Sequence, residues 1–247
     1  MALTTAEIKD NDWDPIIGEY ARRKPITVFI DRSGVGSSVG GYDSTQYPTD
    51  AAPMSDEIVN FVQSLLQRVD NQFGLSFQLV DSIGADIDFH LTPSAPQGGD
   101  SSGTSFSSSK DEWGVTGTEW TRTGWKKIRK RSGKIKRKPV YGYRNTMGYI
   151  KEINSDITLH ESSAGMDLSR SDEYWKHVIV HELGHSIGLE HPFDTDDGDS
   201  YGTEDSTNRW ETSMAYGPAN WELGYDKYPD YFSTLDQQAL YEIFGAA

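Results

Sequence analysis

The chain has 247 residues and a formal net charge of −15, with 35% hydrophobic and 12% aromatic residues. That aromatic content excludes a disordered acidic chain, and no apolar run reaches the roughly 18 residues a bilayer span needs. The absence of cysteine excludes disulfide staples, a thiolate metal cage and a cysteine nucleophile.

In chain order, residues 1–24 read as an N-terminal arm and loop. The opening MALTTAEIKDNDWDP has no basic n-region and no apolar h-region, so no cleavable secretory signal is expected. Pro25–Ile30 reads as a buried strand and 32–53 as a Gly/Ser/Tyr/Pro-rich loop. Apolar residues at 58, 59, 61, 62, 65, 66 and 69 predict a helix over 55–69 with Ser55 as N-cap. Strands follow at Leu75–Val80 and Ala85–Leu91, the second alternating Ile87, Phe89 and Leu91 with Asp86, Asp88 and His90. Residues 92–110 read as a low-complexity loop.

Residues 113–150 read as a long hairpin around Ser132-Gly133. Between Lys126 and Lys138 nine of thirteen residues are basic and none is acidic; the remainder, 14 basic against 38 acidic, carries −24. Ile157–His160 reads as a further strand. A helix over Ser171–Ile187 has Asp172 and Glu173 in its first turn and stops at Gly188. A last helix over Ser233–Phe244 opens on Ser-x-x-Asp and ends at Gly245.

Four of the six histidines lie between 177 and 191. His181 and His185, four apart on a helix, project from one face and can hold one ion. Glu182 follows His181, placed to reach a water on that ion. Gly188 permits the positive φ of a sharp turn that returns His191 as third ligand. Three neutral imidazoles leave a fourth position open, the layout of a catalytic zinc. His177 reads as a surface residue or a support for the ligands, and His90 and His160 as packed or solvated strand residues. Asp194, Asp196 and Asp199, clustered around Gly198, are candidate calcium ligands, although the loop lacks EF-hand spacing.

His181-Glu182-x-x-His185-x-x-Gly188-x-x-His191 resembles the zinc signature of the metzincin metallopeptidases. Thr212-Ser213-Met214-Ala215-Tyr216, whose methionine lies 23 residues after the third histidine, resembles their Met-turn in the Met-x-Tyr form of the serralysin and astacin branches. The segment Tyr231–Gly245 is similar to the C-terminal helix of serralysin-type domains. The resemblance covers about 25–245, and before 150 it is topological.

It implies an α/β (α+β) fold: a twisted mixed sheet with two long helices, a smaller C-terminal subdomain, and a cleft between. It places this domain at 25–247, after the arm at 1–24, with the basic hairpin inserted at about 118–148. It also implies a zinc endopeptidase in which Glu182 is general base and then acid. Tyr216 stabilises the oxyanion, Met214 lies as an apolar floor beneath the imidazoles, and the substrate lies extended along an edge strand. Two departures stand out. The sequence carries none of the Gly-Gly-x-Gly-x-Asp calcium repeats of serralysins, and the basic hairpin is foreign to the family pattern.

The alternative is an assembly or virion-associated structural protein on the same scaffold, active or inactive. Location is accordingly expected outside the cell or within a phage or surface assembly. The hairpin at 126–138 reads first as a solvated ribbon that blocks edge pairing, next as a dock for an acidic protein partner or larger assembly. Nucleic acid ranks last, because the remainder of the chain is strongly acidic. No membrane partner is expected.

Overall fold

The apolar residues Val59, Val62, Leu65, Leu66 and Val69 form the buried face of a helix over Asp56–Gln72. The Ser55 hydroxyl caps it, accepting from the Ile58 amide at 3.3 Å. In this computed structural model the described residues are 2–34, 37–39, 47–49, 52–92, 103–112, 118–129, 135–145, 149–160, 172–195, 199–202, 210–215 and 228–247.

After a 3₁₀ turn (Ala6–Ile8) come α1 (Asp14–Ala21), β1 (Ile26–Ile30), β2 (Ser37–Val39), β3 (Tyr47–Thr49) and α2 (Asp56–Gln72). Strands β4 (Phe77–Val80), β5 (Ile87–Thr92), β6 (Gly103–Glu112), β7 (Thr118–Arg129), β8 (Ile135–Asn145) and β9 (Tyr149–His160) follow. Helices α3 (Asp172–Ser186) and α4 (Thr234–Phe244) complete the order. The chain forms two units, residues 1–108 with 153–247 and residues 109–152.

The larger unit is built on a sheet of order β4-β1-β5-β9-β6. β1 pairs in parallel with β4 and β5, and β5 in parallel with β9. Parallel neighbours need a crossover, which α2 supplies between β1 and β4. Although apolar and polar residues alternate along β5, the polar ones are buried too: Asp88 is 2% and His90 0% exposed. Crossover connections lay chain over both faces of a parallel sheet, so the residues of an inner strand are buried on either side. Its polar residues are satisfied internally. The Asp88 carboxylate accepts from the Gly84 and Ala85 amides at 2.8 and 3.0 Å, and His90 Nδ1 lies 3.4 Å from Asp31 Oδ2.

Two sequence readings are corrected here. Residues 1–24 form a packed part of the larger unit, not an arm. Trp13, Ile17 and Tyr20, spaced four and three apart, bury one face of α1. The Tyr20 hydroxyl donates to Asp86, whose other oxygen accepts from the Thr27 amide at 2.8 Å. Secondly, Gly103–Glu112 is a strand, although its Ser/Thr-rich composition reads as loop. At a sheet edge the backbone ladder alone makes the pairing. Residues 93–102 lie outside the described residues.

The smaller unit contains an antiparallel ribbon, β7 with β8, paired from Thr118↔Asn145 to Arg129↔Ile135. Its connection at 130–134 lies outside the described residues. The protein is thus of the mixed α/β class. Among the described residues no helix is long and apolar enough to cross a membrane.

Candidate metal centre

Helix α3 carries the first two histidines and is buried along nearly its whole described length. Trp175, Val178, Ile179, Val180 and Leu183 are all at most 7% exposed. After Ser186 the chain turns on Gly188, at φ +99°, a conformation that disfavours any side chain. A Cβ there would also stand 3.2 Å from the Asp14 Cα, so glycine is required on two counts. The Leu189 amide donates to the Gly184 carbonyl at 2.9 Å, closing the turn that delivers His191.

The N-terminal segment braces that turn from outside. Lys9 and Leu189 form an antiparallel bridge. Within it the Asp10 amide donates to the Gly188 carbonyl at 3.1 Å and the Glu190 amide to the Ile8 carbonyl at 3.0 Å. The Trp13 indole N–H donates to the Ser186 carbonyl at 3.1 Å.

His181, His185 and His191 converge. Their Nε2 atoms are 3.2 Å (181–191), 3.2 Å (181–185) and 3.1 Å (185–191) apart. Each Nδ1 faces an atom that can only accept: the Ser213 carbonyl at 2.9 Å, the Leu189 carbonyl at 3.0 Å and the Asp194 carboxylate at 2.9 Å. Each Nδ1 therefore carries the proton, and each Nε2 turns a lone pair inward. No Nε2 has a proton to give another, so the three acceptors repel unless a cation lies among them. Burial, reinforced by His191 and His181, holds the His185 imidazole well below its usual value of 6.5, hence neutral at pH 7.

The donor set fits a metal ion. An ion about 2.0–2.1 Å from each nitrogen, the ordinary metal–imidazole length, would subtend about 95–105° between them, near tetrahedral. Among the described residues this is the group of three or more metal-ligating side chains that could hold an ion. His181 is buried while His185 and His191 are half-buried. The centre is sheltered without being sealed.

Glu182, next to the first ligand, is 6% exposed. Behind the ligands lies the segment Thr212–Ala215, every residue of it buried. Ser213 supplies the carbonyl for His181. Met214, fully buried, lies so close to Gly184 that a Cβ there would meet its sulfur at 2.6 Å. Only a glycine between His181 and His185 admits the methionine.

α4 in turn holds this segment. The buried Asp236 carboxylate accepts from the Thr212 hydroxyl, from the Ser213 amide at 2.8 Å and from the Ser233 amide at 2.8 Å. The Ser-x-x-Asp motif at 233–236 is thus a capping box that also anchors the residues behind His181. His177, 6% exposed, donates from Nδ1 to the Pro229 carbonyl at 3.2 Å, tying α3 to the segment entering α4.

The candidate calcium ligands have other engagements. Asp194 orients His191, and Asp199 Oδ2 accepts from the Asn11 side-chain Nδ2 at 3.3 Å. Asp196 and Tyr216 lie outside the described residues. Gly184 and Trp13 escaped the sequence reading, as did the hold of the capping residue Asp236 on Thr212 and Ser213. A glycine inside a strongly helical pattern was the one available signal, since such a residue marks close packing. No family model matches this sequence, and no curated protein is significantly similar to it.

Proposed function

We propose that the protein is a zinc endopeptidase with a serralysin-like metzincin domain, holding zinc through His181, His185 and His191. One observation carries the reading: three inward Nε2 acceptors 3.1–3.2 Å apart, with Glu182 buried beside the first ligand. The His-Glu-x-x-His-x-x-Gly-x-x-His spacing supports zinc over other ions, because three neutral imidazoles suit a tetrahedral catalytic site. Bound zinc would supply a Lewis acid that polarises the scissile carbonyl and lowers the pKa of water to ~7.

The chain's own residues do the rest. Glu182 takes a proton from the attacking water as its oxygen bonds to the carbonyl carbon. The same carboxyl returns that proton to the amine nitrogen as the C–N bond breaks. Asp194, Ser213 and Leu189 keep each imidazole in the Nδ1–H tautomer. Tyr216, two residues beyond Met214, is assigned as donor to the developing oxyanion. An extended substrate adds to an edge of the sheet by backbone hydrogen bonds.

The test is digestion of casein, gelatin and a peptide library by zinc-loaded protein at neutral pH. Cleavage that a zinc chelator abolishes and added zinc restores is the expected result. Intact substrates after prolonged incubation with fully loaded protein would overturn the assignment.

A further inference from the structure

The basic ribbon has no part in that chemistry, and its pairing register carries information absent from its composition. Between Trp120 and Lys151 there is no Asp or Glu, and twelve of the chain's 23 Lys and Arg residues fall there. Lys126 stands directly opposite Lys138, and Lys127 opposite Arg137. Like charges opposite one another in a ladder destabilise it, so the arrangement favours a neutralising anion.

The ladder shifts between Arg122↔Tyr141 and Gly124↔Val140, leaving Thr123 as an extra residue. Without that bulge, Trp120 and Trp125, an odd number of residues apart, would fall on opposite faces. With it, the pairs Trp120↔Tyr143, Arg122↔Tyr141 and Trp125↔Pro139 all belong to one face. All four aromatic residues of β7 and β8 therefore share a face. Arg122, Lys127, Arg129 and Arg137 occupy the same face. The opposite face carries cations, among them Lys126, Lys136 and Lys138, and no aromatic residue.

We propose that the aromatic–cationic face of the β7–β8 ribbon binds single-stranded nucleic acid. Residues on one face of a strand recur about every 7 Å, near the nucleotide repeat of an extended single strand. Rings on which bases stack and cations that meet phosphates are the two elements of sequence-tolerant single-strand binding. An acidic protein would be met by the cations alone, and both faces have those; only one face has rings. The acidic remainder of the chain opposes a polyanion over a screening length of only about 8 Å at physiological salt.

The experiment is fluorescence anisotropy of the zinc-loaded full chain with a labelled oligothymidylate of about 20 nucleotides. Tryptophan emission is read in parallel. Expected are saturable binding with quenched tryptophan and a log–log salt slope of about −3, as four phosphate contacts give. Trp120→Ala and Trp125→Ala should each weaken binding about 5–100-fold, while Trp→Phe at either position retains it. Arg137→Gln should lower the slope by about 0.7 with the quench preserved, which keeps the test decisive if an alanine variant misfolds.

Absence of binding at low salt would overturn the proposal, as would affinity indifferent to both Trp→Ala changes in folded protein. So would binding of polyglutamate or anionic phosphatidylserine vesicles as tight as that of the oligonucleotide.

Discussion

The histidine triad and the basic ribbon both set like groups against one another, and they reach that arrangement by different means. In the triad, each Nδ1–H donates to an oxygen of Leu189, Asp194 or Ser213 that orients its ring, so three Nε2 acceptors face one point. In the ribbon, the backbone ladder alone puts Lys126 against Lys138 and collects the aromatic residues on one face. The first device converges on a single position and suits one small cation. The second defines only a repeat along a face, which suits a polymer with a repeating charge. Preorganisation by side chains selects geometry, whereas preorganisation by register selects periodicity.

Glu182 separates the two regions most sharply. Glu182→Gln should lower kcat/KM about 10²–10⁴-fold while zinc content and oligonucleotide affinity stay at parental values. Peptide hydrolysis, elemental analysis and anisotropy on one preparation check this, and parental turnover would remove Glu182 from its role. Next comes Asp194→Ala, which releases His191 Nδ1 without touching a ligand atom. Zinc affinity should fall about 10–100-fold in competition with a chromophoric chelator, with ribbon binding unaffected.

Gly184→Ala probes the packing behind the ligands. Its new Cβ would lie 2.6 Å from the sulfur of a fully buried Met214. A loss of about 1–3 kcal/mol in denaturant unfolding is expected. Adding Met214→Ala should recover part of that loss, a coupling that distant sites do not show.

The smallest effect belongs to Glu242. Burial pushes its carboxyl upward, but hydrogen bonds from Lys9 and Thr5 and the Lys9 charge at 3.0 Å win, so its pKa lies below 4.5. A lowered carboxyl pKa stabilises the fold above the unfolded value, and that contribution disappears as pH falls through the folded value. Glu242→Gln should therefore cost less than about 1 kcal/mol at pH 7 and nothing at strongly acid pH, with zinc affinity unchanged. A cost that persists in acid would indicate lost packing, not lost charge.

Much of the candidate metal centre was legible because its three histidines lie within eleven residues. The i, i+4 pair, the turn glycine and the returning histidine follow from helix geometry and one positive φ. What lay hidden was everything that orients those ligands. Asp194 read only as one carboxylate of an acidic cluster, a candidate calcium ligand; in the fold its Oδ2 accepts from His191 Nδ1 at 2.9 Å. For His90 the sequence left packed and solvated readings open, and burial of both faces of the parallel sheet makes it a packed one.

Local spacing alone specified the grouping of His181, His185 and His191, the helices α2, α3 and α4, and the caps at Ser55 and Ser233, since all depend on groups a few residues apart. It took the assembled fold to bring residues 8–13 against the turn at 186–190 and Asp236 against the segment behind His181. The fold also decided which nitrogen of each imidazole faces inward, and that a single extra residue at Thr123 gathers the ribbon's aromatic residues on one face. The physical reason is common to these. Each is a pairing between backbone or buried polar groups distant in the chain, and such groups are satisfied only once the fold brings them within hydrogen-bond reach.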